Sequence, residues 1–178
     1  MRGTFRMAME KTFQVLGEMR ADGVIGRYAI CGAVAAFFYI EPGTTYDLDV
    51  FIAWDPTAGG PLDIGPIYSY LMRRGYSIEG ECISVGGWAV RFLSATRRLT
   101  QEALEQAVPV LVGNVPVPIF SREHLMAICL ETGRPKDNAR LVQFLEQGDI
   151  DEAKFVEILT RHELTNKWNA SLERIRTT

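Results

Sequence analysis

The hydrophobic positions of this chain recur with two periods, one typical of helices and one typical of strands. Phe5, Met9, Phe13 and Leu16 have the spacing of an amphipathic helix, which we expect to end near Asp22. Short apolar runs of the strand type follow, and turn residues separate them. The pattern therefore predicts an α/β (α+β) fold, with a sheet and flanking helices.

The strands are predicted before residue 121. The runs RYAIC and DLDVFIAW predict two strands, joined by a helix in GAVAAFFYI, and another helix is predicted in PIYSYLMRRG. YSIEGECISV and WAVRFLSA predict two strands of a hairpin that turns at Gly86 and Gly87. VPVLVGNVPVPIF predicts a second hairpin, and Thr100 is the expected cap of the helix TQEALEQAV.

From residue 121 onward every pattern is helical. Ser121 is a candidate helix cap, Gly133 a candidate helix end, and Pro135 a favourable first residue of the following helix. We interpret the last apolar stripe as a packing surface; it consists of Leu164, Trp168, Leu172 and Ile175. We expect one domain over residues 1–178, with a sheet-containing part at 1–120 and a C-terminal helical lobe at 121–178.

Composition and charge exclude some classes of protein. The 178 residues are 47% hydrophobic and 23% charged, and the net charge of -3 argues against coating of nucleic acid or acidic membranes. No apolar run is long enough to span a bilayer, so no membrane partner is expected. The three cysteines lack CxxC spacing and the two histidines match no zinc-ligand pattern. We expect a cytoplasmic protein with reduced thiols.

The segment TTYDLDVFIAW contains the main candidate for chemistry. Side chains alternate along a strand, so Asp47 and Asp49 share one face while Leu48 and Val50 share the other. Two carboxylates about 6–7 Å apart repel each other unless water or a cation neutralises them. The pair is therefore either a solvated strand end or a magnesium site, because Mg²⁺ binds one or two carboxylates together with substrate phosphates.

Residues around this pair resemble the motif of the nucleotidyltransferase superfamily, a Gly-Gly or Gly-Ser pair followed by an acid–apolar–acid strand. The matching residues are Gly32-Ala33 and Asp47-Leu48-Asp49. The form TxDxD, which begins at Thr45, and the later segment ETGRPKDNARLVQFLE are similar to small AbiEii-type proteins, some of which are toxins of type IV toxin–antitoxin pairs. The resemblance covers about residues 28–168 and implies a mixed β-sheet with flanking helices and a C-terminal helical lobe.

The resemblance implies a catalytic and metal-binding role for Asp47 and Asp49, with Mg²⁺ as the cofactor. It implies a nucleoside triphosphate as ligand, an RNA or protein hydroxyl as acceptor, and an antitoxin as a protein partner. Lys136 and Arg140 lie four residues apart on one helix face, where they either contact phosphates or form an ordinary solvated surface. The nucleotide-binding candidates are Gly32, Ala33, Thr45, Lys136 and Arg140.

Two departures from the family pattern bear on activity. Ala33 stands where the family has Gly or Ser, and Arg91 occupies the best position for the third carboxylate, so Glu79 or Glu81 would have to supply it. A guanidinium there would instead pair with the two aspartates. Three hypotheses follow: an active transferase, a weakened or inactive relative that binds nucleotide or a partner, and an interaction domain whose Asp pair is solvated.

Overall fold

The structure is a computed structural model that describes residues 3–53, 63–147 and 149–177. Its helices are α1 (Gly3–Ala21), α2 (Gly32–Ala36), α3 (Gly65–Arg73), α4 (Arg98–Glu105), α5 (Arg122–Thr132), α6 (Pro135–Glu146), α7 (Glu152–Arg161) and α8 (Thr165–Thr177). Its strands are β1 (Tyr28–Ile30), β2 (Asp47–Ala53), β3 (Ser77–Glu79), β4 (Cys82–Val85), β5 (Trp88–Ala95), β6 (Val108–Val112) and β7 (Val115–Ile119).

The strands form one mixed sheet in the order β3-β4-β5-β2-β1-β7-β6. Strand β2 pairs in parallel with β5 and antiparallel with β1, and β1 pairs in parallel with β7. The hairpins β4–β5 and β6–β7 extend the sheet on either side. The predicted α/β class is confirmed, and the strand that begins with the two aspartates lies at the centre of the sheet.

Helix α1 lies against the sheet and contacts β4, β5, β6 and β7. Its residues Met9, Phe13 and Leu16 are almost completely buried, which confirms the predicted amphipathic helix; the side chain of Phe5 lies outside the described residues. The Thr12 hydroxyl donates to the Val85 carbonyl at 2.8 Å and so joins the helix to β4. Burial of this apolar stripe, more than helix propensity, holds α1 in place.

The predicted hairpin at Gly86 and Gly87 is confirmed, since both glycines have positive φ (61° and 91°), as a two-residue type I′ turn requires. Two local predictions were wrong. The run YSIEGECISV is two strands, because the chain turns at Gly80, which has a φ of 63°. Helix α4 begins before Thr100, whose hydroxyl donates to the Arg97 carbonyl at 2.9 Å and so lies within the first turn.

The described chain beyond β7 is helical. Ser121 caps α5 by accepting the His124 backbone N–H, Gly133 ends that helix with a φ of 65°, and Pro135 begins α6, all as predicted. The last apolar stripe packs: Leu164 is 8% exposed, and the Trp168 ring meets that of Phe155 edge-on at 5.0 Å. No helix within the described ranges combines the length and the hydrophobicity needed to cross a bilayer.

Candidate functional site

The two aspartates project from the same face of β2, at the end where the strand begins. Their side chains are 41% exposed for Asp47 and 20% exposed for Asp49, whereas Leu48 and Val50 are completely buried on the opposite face. The alternation of a strand produces this arrangement. We call the exposed side of β2 that bears Asp47 and Asp49 the aspartate face.

Arg91 on the neighbouring strand pairs with both carboxylates. Because β2 and β5 are parallel and in register, Asp49 lies directly opposite Arg91. Arg91 Nε and Nη2 donate to Asp49 Oδ1 at 2.9 and 2.6 Å, and Nη2 also donates to Asp47 Oδ2 at 3.1 Å. The hydrogen bond to Asp49, above all, raises the pKa of Arg91 above its ordinary value. The predicted ion pair is therefore present.

Gly32 brings the turn between β1 and α2 against Asp49. Gly32 has a φ of 66°, and a Cβ at this position would lie 2.7 Å from Asp49 Oδ2. The backbone N–H of Cys31 donates to the Asp49 carbonyl at 3.0 Å, which fixes the turn beside β2. Ala33 follows in α2, which ends at Ala36 and is therefore shorter than the helix predicted in GAVAAFFYI. Only glycine fits position 32 without displacing the carboxylate.

Thr45 orients the first carboxylate. Its hydroxyl lies 3.2 Å from Asp47 Oδ1 and 3.3 Å from the Asp47 carbonyl oxygen, so its single hydrogen is shared between two acceptors of one residue. This local contact is typical of Ser and Thr in turns. The aspartate face thus holds Asp47 through Thr45 on one oxygen and through Arg91 on the other.

The beginning of α6 contributes a residue that the sequence did not indicate. Arg134 donates to Asp137 Oδ2 at 2.5 Å, and Asp137 is only 2% exposed. This hydrogen bond raises the pKa of Arg134, and the charge of Asp49 contributes to the same shift. Arg134 therefore lies close enough to the aspartate face to interact with it electrostatically. The sequence shows Arg134, Pro135 and the acid at 137, but it does not show that the acid is buried.

The two predicted cations of α6 have different surroundings. Arg140 Nη1 lies 4.0 Å from Asp137 Oδ1. Burial raises the pKa of the Cys31 thiol to about 12 and that of the Cys129 thiol to about 11, and the charge of Arg140 opposes both increases. Since Cys31 precedes Gly32, Arg140 lies near the glycine turn. Lys136 is exposed in the first turn of α6. Phosphate contacts by these two residues stay a prediction.

Neither candidate for a third carboxylate lies on β5, the strand that pairs in parallel with β2. Glu79 pairs with Cys82, and three strand spacings, about 14 Å, separate β3 from β2. Glu81 lies in the turn between β3 and β4. In the part of the chain that the structure describes, no three His, Cys, Asp or Glu side chains are grouped to hold a metal ion. Two adjacent, partly exposed carboxylates nevertheless fit Mg²⁺ when phosphate oxygens complete its ligands.

Both histidines converge on Glu102, in a cluster away from the aspartates. His162 Nε2 lies 2.8 Å from Glu102 Oε2, His124 Nε2 lies 3.4 Å from Oε1, and Arg161 donates to Oε1 at 2.7 Å. These hydrogen bonds, led by that from Arg161, lower the pKa of Glu102 to about 2. The Ser121 hydroxyl lies 2.9 Å from His124 Nδ1. We call these residues the Glu102 cluster; it joins α4, α5 and α7.

Comparison with known proteins supports the fold. No protein-family model and no curated protein matches the chain. A solved structure, an antigenic nucleotidyltransferase-like protein from Paracoccidioides brasiliensis, is similar, with a TM-score of 0.54 and 14% sequence identity over 92% of this chain and 93% of that chain. The chain therefore has a nucleotidyltransferase-like fold. The AbiEii-type resemblance stays a prediction.

Proposed function

We propose that this nucleotidyltransferase-like protein binds a nucleoside triphosphate with Mg²⁺ at the aspartate face and transfers a nucleotide slowly to an RNA or protein hydroxyl. The observation that carries the proposal is the common projection of Asp47 and Asp49 beside the Gly32 turn. A strand that pairs two carboxylates next to a close backbone turn suits a metal-bound phosphate. The fold likeness supports the same class of ligand.

The residues of the chain would divide the binding between them. Asp47 and Asp49 would hold Mg²⁺, which would neutralise part of the triphosphate charge. The missing side chain of Gly32 lets the backbone turn lie against Asp49, so the turn would border the bound cation. Arg134 and Arg140 would add positive charge from α6, each through a planar guanidinium that matches phosphate oxygens.

Transfer would be slow because the position opposite Asp49 on the neighbouring strand holds Arg91 and not a proton acceptor. In the reaction, the acceptor oxygen bonds to the α-phosphorus, the bond from that phosphorus to the bridging oxygen breaks, and pyrophosphate leaves. The acceptor hydroxyl must also lose its proton. Arg91 occupies the adjacent strand position, and a guanidinium remains protonated throughout the working pH range, so it cannot take that proton.

A second candidate function is favoured by the same residue. Arg91 already satisfies both carboxylates, which is the arrangement expected if the aspartates bind nucleotide or a protein partner without turnover. The AbiEii-type resemblance would make that partner an antitoxin. Both candidates use the aspartate face, and they differ in whether a product forms.

Binding and turnover are measured separately. We expect isothermal titration calorimetry to show weak binding of Mg²⁺–ATP or another triphosphate to the wild type and none to Asp47→Asn, since the amide loses the negative charge. Glu105→Gln, an exposed substitution on α4, is the matched control and should bind like the wild type. Absence of binding of all four ribonucleoside triphosphates to the folded wild type would overturn the proposal.

Incorporation of α-labelled triphosphates into cellular RNA and protein then distinguishes the two candidates. Slow incorporation that Asp47→Asn abolishes identifies a weak transferase. If the wild type is inactive but Arg91→Asp gains activity, the protein is a non-catalytic relative whose site lacks one carboxylate. Rapid incorporation by the wild type would show that the role assigned to Arg91 is wrong.

A further inference from the structure

We propose that Arg91 is an internal counter-ion of the aspartate face that a divalent cation must displace, so that cation and nucleotide bind together rather than singly. The inference concerns regulation of the site. Its nucleotide part rests on the proposed function, whereas displacement of Arg91 by a cation does not.

The contacts of Arg91 occupy the oxygens that a bridging cation would use. Its guanidinium bonds Asp49 Oδ1 and Asp47 Oδ2, so it lies between the two carboxylates. A positive charge in that position neutralises the repulsion between the aspartates, as a metal ion otherwise would. Arg91 and a cation bound to both carboxylates therefore compete for the same place.

Arg91 is also able to leave. Its side chain is 36% exposed, so the guanidinium has access to water. The adjacent residue on β4 is Cys82, as the register Ile83–Val90 requires, and it is not an acid. Once displaced, Arg91 would lose its bonds to two carboxylates, which opposes the binding of a free cation.

A triphosphate changes this balance. Its oxygens offer the displaced guanidinium a bidentate partner of the same geometry as a carboxylate. Arg91 can then contact phosphate while the aspartates contact the cation, so each ligand improves the site for the other. Because binding free energies are linked, nucleotide should raise the affinity for the cation by the factor by which the cation raises the affinity for nucleotide.

The test uses Mn²⁺ in place of Mg²⁺ and measures the free ion by electron paramagnetic resonance. Without nucleotide, Arg91→Met should bind Mn²⁺ about tenfold more tightly than the wild type, since a charge-assisted bidentate pair no longer opposes the cation. Asp49→Asn combined with Arg91→Met should lose this gain. Arg74→Met is the matched control, because Arg74 likewise joins two acids, Glu18 and Asp22, and is similarly exposed at 39%.

In the second arm, ATP should raise the affinity of the wild type for Mn²⁺ by more than it raises that of Arg91→Met. Equal Mn²⁺ affinities of the wild type and folded Arg91→Met would overturn the inference. If Arg91→Met does not fold, Arg91→Lys takes its place in the test. This variant should bind Mn²⁺ more tightly than the wild type, because Lys cannot form two parallel hydrogen bonds to a carboxylate. An unchanged Mn²⁺ affinity of Arg91→Lys would overturn the inference.

The outcomes separate this inference from the proposed function. If Arg91→Met gains Mn²⁺ affinity while no variant binds a triphosphate, the proposed function fails and the counter-ion role of Arg91 stands. If the wild type binds Mn²⁺–ATP but Arg91→Met binds Mn²⁺ no better than the wild type, the function stands and the counter-ion role fails.

Discussion

At the scale of single residues, the missing side chain of Gly32 determines how closely the backbone approaches Asp49. A Cβ at Gly32 would lie 2.7 Å from Asp49 Oδ2, and Arg91 holds that carboxylate from the other side. The carboxylate therefore cannot move away without weakening its ion pair. The positive φ of 66° adds a second restriction, since residues with a Cβ rarely adopt it.

We expect Gly32→Ala to lower the free energy of unfolding by about 1–2 kcal/mol, from backbone strain, and to weaken Mn²⁺–ATP binding because Asp49 is displaced. Urea unfolding and calorimetric titration measure the two effects. Gly17→Ala is the control, because Gly17 lies within α1 and the added Cβ would meet no other part of the described structure within 4 Å. Since Ala favours a helix more than Gly does, this substitution should stabilise the protein by about 0.5–1 kcal/mol. Wild-type stability and binding in Gly32→Ala would show that the close approach has no role.

The sequence predicted some residues of the site and not others. Alternation along one strand was enough to place Asp47 and Asp49 on a common face, and a preceding glycine indicated a close turn. Arg134 was missed because its approach to Asp49 depends on how α6 packs, which no local pattern specifies. Asp137 is buried beneath Arg134, and no local pattern predicts that burial.

At the scale of elements, the Glu102 cluster fixes three helices that have no shared sequence pattern. Glu102 on α4 accepts from His124 on α5 and from Arg161 at the end of α7. The Ser121 hydroxyl accepts the His124 backbone N–H and can donate to Nδ1, which leaves Nε2–H to donate to Glu102. Burial lowers the pKa of His124, so the ring stays neutral at physiological pH.

This cluster predicts a pH-dependent stability difference. The pKa of Glu102 is about 2 when folded and ordinarily 4.5, so its stabilisation is complete above pH 4.5 and lost as the pH falls toward 2. Glu102→Gln should therefore lower the free energy of unfolding by about 2 kcal/mol at pH 6 and by much less near pH 2. Urea unfolding across pH measures the difference between the wild type and the variant.

Glu157→Gln is the control for this prediction, because Glu157 is 70% exposed and its ion pair with Arg161 lies at the surface. Its effect should stay within about 0.5 kcal/mol at every pH. A Glu102→Gln effect that does not change between pH 6 and pH 2 would contradict the assigned network. Sequence patterns could not reveal the Glu102 cluster, since its residues lie on separate helices.

At the scale of the whole molecule, the site depends on strand pairings that are remote in sequence. Arg91 meets Asp49 only because β2 and β5 pair in parallel, and the Gly32 turn meets it only because β1 lies on the other side of β2. Hydrophobic periodicity predicted two hairpins and the strands, except that YSIEGECISV is two strands. Strand order across a sheet is not a local property. The nucleotidyltransferase-like arrangement was expected from the motif resemblance and is confirmed by the fold.

The most direct test of the aspartate site is a crystal structure with Mn²⁺ and ATP, in which anomalous scattering locates the manganese. We predict one peak at roughly 2.0–2.3 Å from a carboxylate oxygen of Asp47 and of Asp49, with the Arg91 guanidinium moved from the carboxylates to phosphate. A manganese–nucleotide complex bound elsewhere, with Arg91 still bonded to Asp47 and Asp49, would contradict it.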